Sequence, residues 1–225
     1  MHKEIILQSR ILIVDDQQAN SALLERLLGQ AGYSQFTSLN DPRQVIEQFR
    51  SFQPDLIVLD LMMPHVDGFA VMTQLRGWVS DETYLPILVV TADVSKAAKQ
   101  KALSLGAKDF LTKPIENTEA MLRVYNLLET RWLYRQIQTK NKFLIEQVRE
   151  SRQQLAAARS EVDRLSSGSI SPDQLAHVSK RIVQAVTSIE RIGETAETFY
   201  PGQFLELPAA EAEEWAARGW TNPVL

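Results

Sequence analysis

The chain of 225 residues contains no cysteine. That absence excludes disulfides, thiol catalysis and thiolate metal sites. Histidine is scarce: His2, His65 and His177 are too scattered for a multi-histidine metal cluster of any usual spacing. No apolar run approaches the ~18 residues that cross a bilayer, and the opening MHKEIILQSR lacks the apolar core of a signal peptide. Charge of either sign is not in large excess. A net −4 with a pI near 5.5 leaves no electrostatic footprint for nucleic acid or an anionic membrane. Glycine and proline are missing altogether from Ile115 to Ser167. What remains, 44% hydrophobic and 23% charged, is a globular composition with room for one ordinary domain and something smaller. The expectation is a soluble, cytoplasmic protein that binds neither nucleic acid nor membrane.

The stretch Pro54 to Pro64, PDLIVLDLMMP, organises the rest. Leu56 to Leu59 form a short continuous apolar run, the signature of a strand buried on both faces of a parallel sheet, and Asp60 stands at its carboxyl end. In open α/β sheets that edge is where ligands bind. Ile11 to Val14 is a similar run that stops at Asp15-Asp16 and leads into a helical pattern ending near Gly29 and Gly32. Adjacent carboxylates at a strand end suit a magnesium ion, or one of them caps the following helix. Further strands are read at Gln35–Leu39, Leu85–Val90 and Lys108–Leu111. Helices are read at Arg43–Phe49, after the Asp67-Gly68 loop, and at about Val94–Leu105, with Asp41 and Pro42 opening the first of these. Five alternations of strand and helix predict a parallel sheet covered on both faces. Asp15, Asp16, Asp60, Thr91 and Lys113 then all fall on one sheet edge. Three carboxylates, a hydroxyl and an ammonium suit phosphoryl transfer to a carboxylate, with an Asp as nucleophile.

Asp15-Asp16, the run Leu59-Asp60-Leu61-Met62-Met63-Pro64 with Asp67-Gly68, Thr91-Ala92 and Lys113-Pro114 together resemble the receiver domain of two-component response regulators. The resemblance covers about residues 10 to 125 and implies a flavodoxin-like, doubly wound, five-stranded sheet. It implies Asp60 as phosphoacceptor, served by a histidine kinase or a phosphotransfer protein. It implies a Mg2+ site of Asp15, Asp16, Asp60 and the backbone carbonyl of Met62, in which Asp16 binds directly and Asp15 mainly through water. Thr91 and Lys113 would take phosphoryl oxygens, and the Lys113-Pro114 bond would be cis. Phe110 stands at the position of the family's switch aromatic, working with Thr91. Lacking the hydroxyl of the more usual Tyr, Phe110 would move by packing alone.

The glycine- and proline-free stretch carries a heptad pattern. With Leu127 at position a, the a residues are Leu127, Tyr134, Asn141, Val148, Leu155 and Val162, and the d residues Thr130, Ile137, Leu144, Ser151, Ala158 and Leu165. The pattern predicts a coiled coil over 126–166 and a homodimer, with Asn141 setting a parallel register. The alternative is a long helix folded back on its own receiver or on the C-terminal segment. The stretch also looks like the connector of HD-GYP-class response regulators. No His-Asp pair, Gly-Tyr-Pro or Gly-Gly-Asp-Glu-Phe signature follows it, so phosphodiesterase activity does not transfer.

The expected division is a receiver at 1–125, a connector at 126–166, a hinge at 167–170 and a small C-terminal module at 171–225. In the module, Ser171 and Pro172 open a helix whose stripe Leu175, Val178, Ile182, Val186, Ile189 and Ile192 reads as core or dimer seam rather than as a partner-binding face. A turn and short strand around Tyr200–Pro208 and a small helix with Trp215 are expected beyond it. Eight acidic residues against four basic ones speak against DNA binding there. His177 lacks the following acid and nearby proline of a phosphorylatable kinase histidine. The reading is a response regulator that accepts phosphate on Asp60 and signals to an unidentified protein partner, with no separate catalytic output domain. Its rivals are a phosphorylation-independent structural adaptor and a divergent cyclic-dinucleotide enzyme.

Overall fold

The computed structural model describes residues 2–64, 66–79, 83–93, 95–165 and 171–197. The expected hinge at 167–170, the strand around Tyr200–Pro208 and the helix with Trp215 lie outside the described residues. The chain divides into two compact units, Met1–Gln138 and Thr139–Leu225. No helix among the described residues is long and apolar enough to cross a membrane.

The first unit is built on five parallel strands: β1 (Ile11–Val14), β2 (Phe36–Leu39), β3 (Leu56–Asp60), β4 (Ile87–Thr91) and β5 (Asp109–Thr112), in the order β2-β1-β3-β4-β5. In register, Val14 lies opposite Leu59, Asp60 opposite Val90, and Thr91 opposite Thr112. The reversal of order beside β1 places a crevice at the carboxyl ends of β1 and β3, the switch point where such sheets bind ligands. This is the flavodoxin-like order.

Successive strand residues point to opposite faces, and they sort into two cores. Ile11, Ile13, Leu56, Val58, Leu88, Val90 and Leu111 face one side. They meet Leu24 and Leu28 of α2 (Gln18–Ala31) and Ala120, Val124, Leu127 and Leu128 of α6 (Asn117–Leu165). Leu12, Val14, Ile57, Leu59 and Val89 face the other. There they meet Val45 of α3 (Val45–Phe52), Val71, Met72 and Leu75 of α4 (Gly68–Arg76), and Ala102 of α5 (Lys96–Ser104). Each fully buried Leu, Ile or Val contributes roughly 1.5–3 kcal/mol, so these two layers hold the strand ends in place. A short helix not anticipated from sequence, α1 (His2–Leu7), adds Ile6 to the first core. The predicted helix at Arg43–Phe49 is a 3-10 turn over Pro42–Gln44 followed by α3. Asp41 caps the turn and Gln53, in the left-handed region, ends α3.

Helix α6 runs unbroken for 49 residues. Its first turns belong to the receiver core: Val124 and Leu128 are fully buried, and Leu127, expected as the first seam residue, is 7% exposed in the same core. In the second unit, Ser151 and Ala158 of α6 are buried, as is Val178 of α7 (Pro172–Glu197). Val148, Leu155 and Val162 of the heptad frame remain 38–44% exposed, and Asn141 is exposed. Helix α7 starts at Pro172 and continues through Gly193 to Glu197. One glycine costs a helix about 1 kcal/mol, which a helix of good formers tolerates.

Candidate functional site

The acidic edge is assembled by three strand ends. Asp15 follows β1, Asp60 is the last residue of β3, and both are 2% exposed. Asp16 is half-buried beside them. Carboxylate oxygens of the three lie within 4.8 Å of one another. Lys113, one residue beyond β5, bridges two of them: its Nζ donates to Asp60 Oδ2 at 2.6 Å and to Asp15 Oδ2 at 2.9 Å. The Lys113-Pro114 peptide bond is cis.

The carboxylates differ in how they are satisfied. Asp15 also accepts from the Gln17 backbone N–H at 2.9 Å and from the Asn20 side chain at 3.1 Å. Asp60 Oδ1 accepts from the Met62 backbone N–H at 3.0 Å. One oxygen of Asp16, Oδ1, is buried with no hydrogen-bond partner at all. An unpaired buried carboxylate oxygen is costly, and a hard cation that takes oxygen ligands removes that cost. By donor chemistry and by that orphaned oxygen, Asp15, Asp16 and Asp60 fit magnesium.

Burial pushes the Asp60 carboxyl above the usual carboxylate range, and the nearby Asp15 charge adds to it, although Lys113 and the Met62 N–H pull the other way. For Lys113, burial works against the ammonium. The hydrogen bonds to Asp60 and Asp15 outweigh that, and its net direction is upward.

Thr91, the last residue of β4, is 2% exposed, and its Oγ1 accepts from the Asp93 N–H at 3.1 Å. The Lys113 backbone N–H donates to the Thr91 carbonyl at 3.0 Å, which ties the ends of β4 and β5 together. Phe110 lies on β5, half-buried and packed against the second core. Met62 is 63% exposed. Asn141 lies in the second unit.

Two supporting residues escaped the sequence reading. Asn20, on the first turn of α2, donates to Asp15, and Asn40, just past β2, donates to the Asp15 carbonyl at 2.6 Å and to the buried Ser21 hydroxyl at 3.1 Å. The available signal was positional: Asn40 also stands at a strand's carboxyl end. Gly68 is a third. It opens α4 behind the cap of Asp67, whose side chain accepts from the Ala70 N–H at 2.7 Å, and its Cα approaches the Asp60–Leu61 backbone closely.

The all-parallel, doubly wound sheet with acids and a lysine gathered at its switch point defines an α/β protein of flavodoxin-like order with an acidic site at the strand ends. Residues 11–125 match the family model of the response regulator receiver domain, and the chain belongs to that family. It is 35% identical to the response regulator PleD of Caulobacter vibrioides over 146 residues, 64% of this chain and 29% of PleD. It is 42% identical to the response regulator MprA of Mycobacterium tuberculosis over 119 residues, 53% of this chain and 50% of MprA. The chain thus spans half or less of the length of these curated relatives. A signal receiver domain from Vibrio parahaemolyticus, 24% identical, shares the fold with a TM-score of 0.53, over 58% of this chain and 97% of that one.

Proposed function

We propose that this chain accepts a phosphoryl group on Asp60 from a histidine kinase or phosphotransfer protein and passes the change to the α6 and α7 region for protein–protein signalling. The observation that carries the reading is the Lys113 ammonium bridging two buried carboxylates, with Asp16 beside them holding an unsatisfied oxygen. An Asp60 oxygen attacks phosphorus, the phosphorus–nitrogen bond of a phosphohistidine donor breaks, and the freed imidazole takes up a proton. Lys113 leaves its place on Asp60 for a phosphoryl oxygen, and the Thr91 hydroxyl donates to another. A magnesium ion held by Asp15, Asp16, Asp60 and the Met62 carbonyl would neutralise charge on the phosphoryl oxygens. Asp15, whose oxygens already accept from Gln17, Asn20 and Lys113, suits a contact through water, and Asp16 a direct one.

Phe110, half-buried on β5, is the switch residue in this reading, moving as Thr91 is drawn toward the phosphoryl group. The domain division of 1–125, 126–166, 167–170 and 171–225 is retained as a functional one. The connector is proposed to pair with a second copy through the partly exposed Val148, Leu155 and Val162, with Asn141 fixing register. The seam would begin beyond Leu127, because that side chain is committed to the receiver core. The test is intact-mass analysis after incubation with acetyl phosphate and magnesium. A single phosphoryl adduct is expected, absent in Asp60→Asn; an undiminished adduct in that variant would remove Asp60 from the role.

A further inference from the structure

The second unit carries an apolar face of its own. Among the heptad d residues, Ser151 and Ala158 of α6 are buried, and so is Val178 of α7. Six residues separate the end of α6 at Leu165 from the start of α7 at Pro172, and helices joined so briefly run antiparallel. Ala158 lies seven residues before the end of α6 and Val178 six after the start of α7, so an antiparallel pair brings the two level. The d positions therefore serve α7 of the same chain. Their small side chains suit that close approach, whereas a two-stranded coil favours leucine there.

Beside these buried positions each helix keeps an exposed apolar stripe. On α6, Leu155 stands three residues before Ala158 and Val162 four after it. On α7, Leu175 stands three before Val178 and Ile182 four after it. Residues three before and four after a helical position share one flank of it. The rotational sense is the same on both helices and the helices run opposite ways, so the two stripes fall on one side of the hairpin. Val148 and Val186 extend them, and all six are 38–56% exposed. That is a contiguous patch of the kind that marks an association surface, not the scattered exposure of a monomer. The outer flanks differ in sign. On α6, Arg149 and Arg152 line a groove with Leu144, Ile145 and Val148. On α7, helical spacing carries the flank of Val186 on to Glu190 and Glu194.

We propose that this face binds the same face of a second copy and makes a four-helix bundle. Each α6 packs against its own α7 on one side and against α7 of the other copy on the next. The inference rests on the reading that the connector pairs with a second copy, and it gives α7 a share of the seam. Charge selects the occupant and its orientation. A two-fold axis along the bundle sets the arginine flank of one copy against the glutamate flank of the other, whereas α6 against α6 would set arginine against arginine.

The experiment is light-scattering mass of the full-length chain over a range of concentrations, with and without magnesium and beryllofluoride. The parent is compared with two charge-reversed chains, one carrying Arg149→Glu with Arg152→Glu and the other Glu190→Arg with Glu194→Arg. The parent is expected to be a dimer in at least one of the two conditions. Each reversed chain alone should dissociate at least about tenfold more readily, since like charges then meet across the bundle. An equimolar mixture of the two should recover the parent's mass, because each α6 again faces an α7 of opposite sign. That recovery also shows that both reversed chains are folded. A Glu190→Arg, Glu194→Arg chain that dimerises as tightly as the parent overturns the proposal and leaves a connector paired through α6 alone. Reversed chains that stay apart in the mixture overturn it as well. A parent that is monomeric in both conditions overturns it together with the paired connector, and leaves the face to the chain's own residues 198–225.

Discussion

Gly68→Ala tests how closely the fold is built around Asp60. A Cβ at Gly68 would lie 2.4 Å from the Asp60 carbonyl oxygen, 2.7 Å from Leu61 Cα and 2.9 Å from a Leu61 methyl, whereas ordinary contact begins at 3.4 Å. Two of the three obstacles are backbone, so the β3–α4 connection must open by about 1 Å. Overpacking of this kind costs about 1–3 kcal/mol, and alanine's better helix propensity returns less than about 1 kcal/mol. A net loss of about 1–2 kcal/mol in urea unfolding follows. The same displacement acts on the segment that carries the Met62 N–H bonded to Asp60 Oδ1. Misplacement by about 1 Å near a reacting group costs on the order of 100-fold, so uptake of phosphate from acetyl phosphate should slow by about that factor. Gly29→Ala is the control: nothing lies within 4 Å of its Cβ position inside α2, and it should stabilise by up to about 1 kcal/mol. A Gly68→Ala protein as stable and as quickly phosphorylated as the parent would refute the reasoning.

Lys113→Met leaves Asp15 and Asp60, each 2% exposed, without their shared cation, and should cost about 3 kcal/mol in EDTA, partly restored by magnesium. Unchanged stability in EDTA would contradict that coupling. Tyr33, 4% exposed, has its hydroxyl pushed up to about 12 from 10.0 by burial and then by Tyr125. The unfolded chain therefore ionises first. The contribution is whole below pH 10 and is lost as pH rises toward 12, by up to about 3 kcal/mol, and Tyr33→Phe should lack that part of the decline; parallel curves would contradict it. Leu128→Ala, at a fully buried site, should cost about 2–5 kcal/mol at any protein concentration. Leu155→Ala, 38% exposed, should matter mainly where a dimer forms; light-scattering mass indifferent to this change and to beryllofluoride would count against the paired connector.

The sheet was legible because parallel strands buried on both faces leave continuous apolar runs, and LIVLD of β3 is buried at every position. The acidic edge followed from it, since strand ends locate themselves once the strands are known. What the first heptad residues pack against did not follow. Val124, Leu127 and Leu128 face the sheet from the same uninterrupted helix that carries the heptads, and periodicity alone cannot tell a face turned to a sheet from one turned to a second helix. Leu127 therefore read as seam. Asn20 and Asn40 were hidden for a different reason. Asn20 lies only five residues from Asp15 but on the first turn of a helix, where nothing in the local pattern marks a side chain turned back to the strand end, and only the packing of α2 beside the end of β2 brings Asn40 to Ser21 and to the Asp15 carbonyl. Gly68 read as loop because a close backbone approach leaves no trace in local composition.

If Asp60 is phosphorylated as proposed, the charge added there would have a short route to α6. Lys113, bonded to Asp60 through Nζ and to the Thr91 carbonyl through its backbone N–H, is separated from the start of α6 at Asn117 by three residues. Arg123, between one and two turns into that helix, reaches back to Asp109 at the start of β5 and to Glu119 on α6 itself. The strand carrying Phe110 is thus fastened to α6 at one end by an ion pair and joined to it at the other by the chain. A displacement of Lys113 toward a phosphoryl oxygen cannot be absorbed in a free loop; it must shift β5, turn α6, or break the Arg123–Asp109 pair. A double-mutant cycle over Lys113 and Arg123, read as phosphorylation-dependent hydrogen exchange along α6, would separate these. Coupling well above about 0.5 kcal/mol would place the motion in β5 and α6 together, and strict additivity would place it elsewhere.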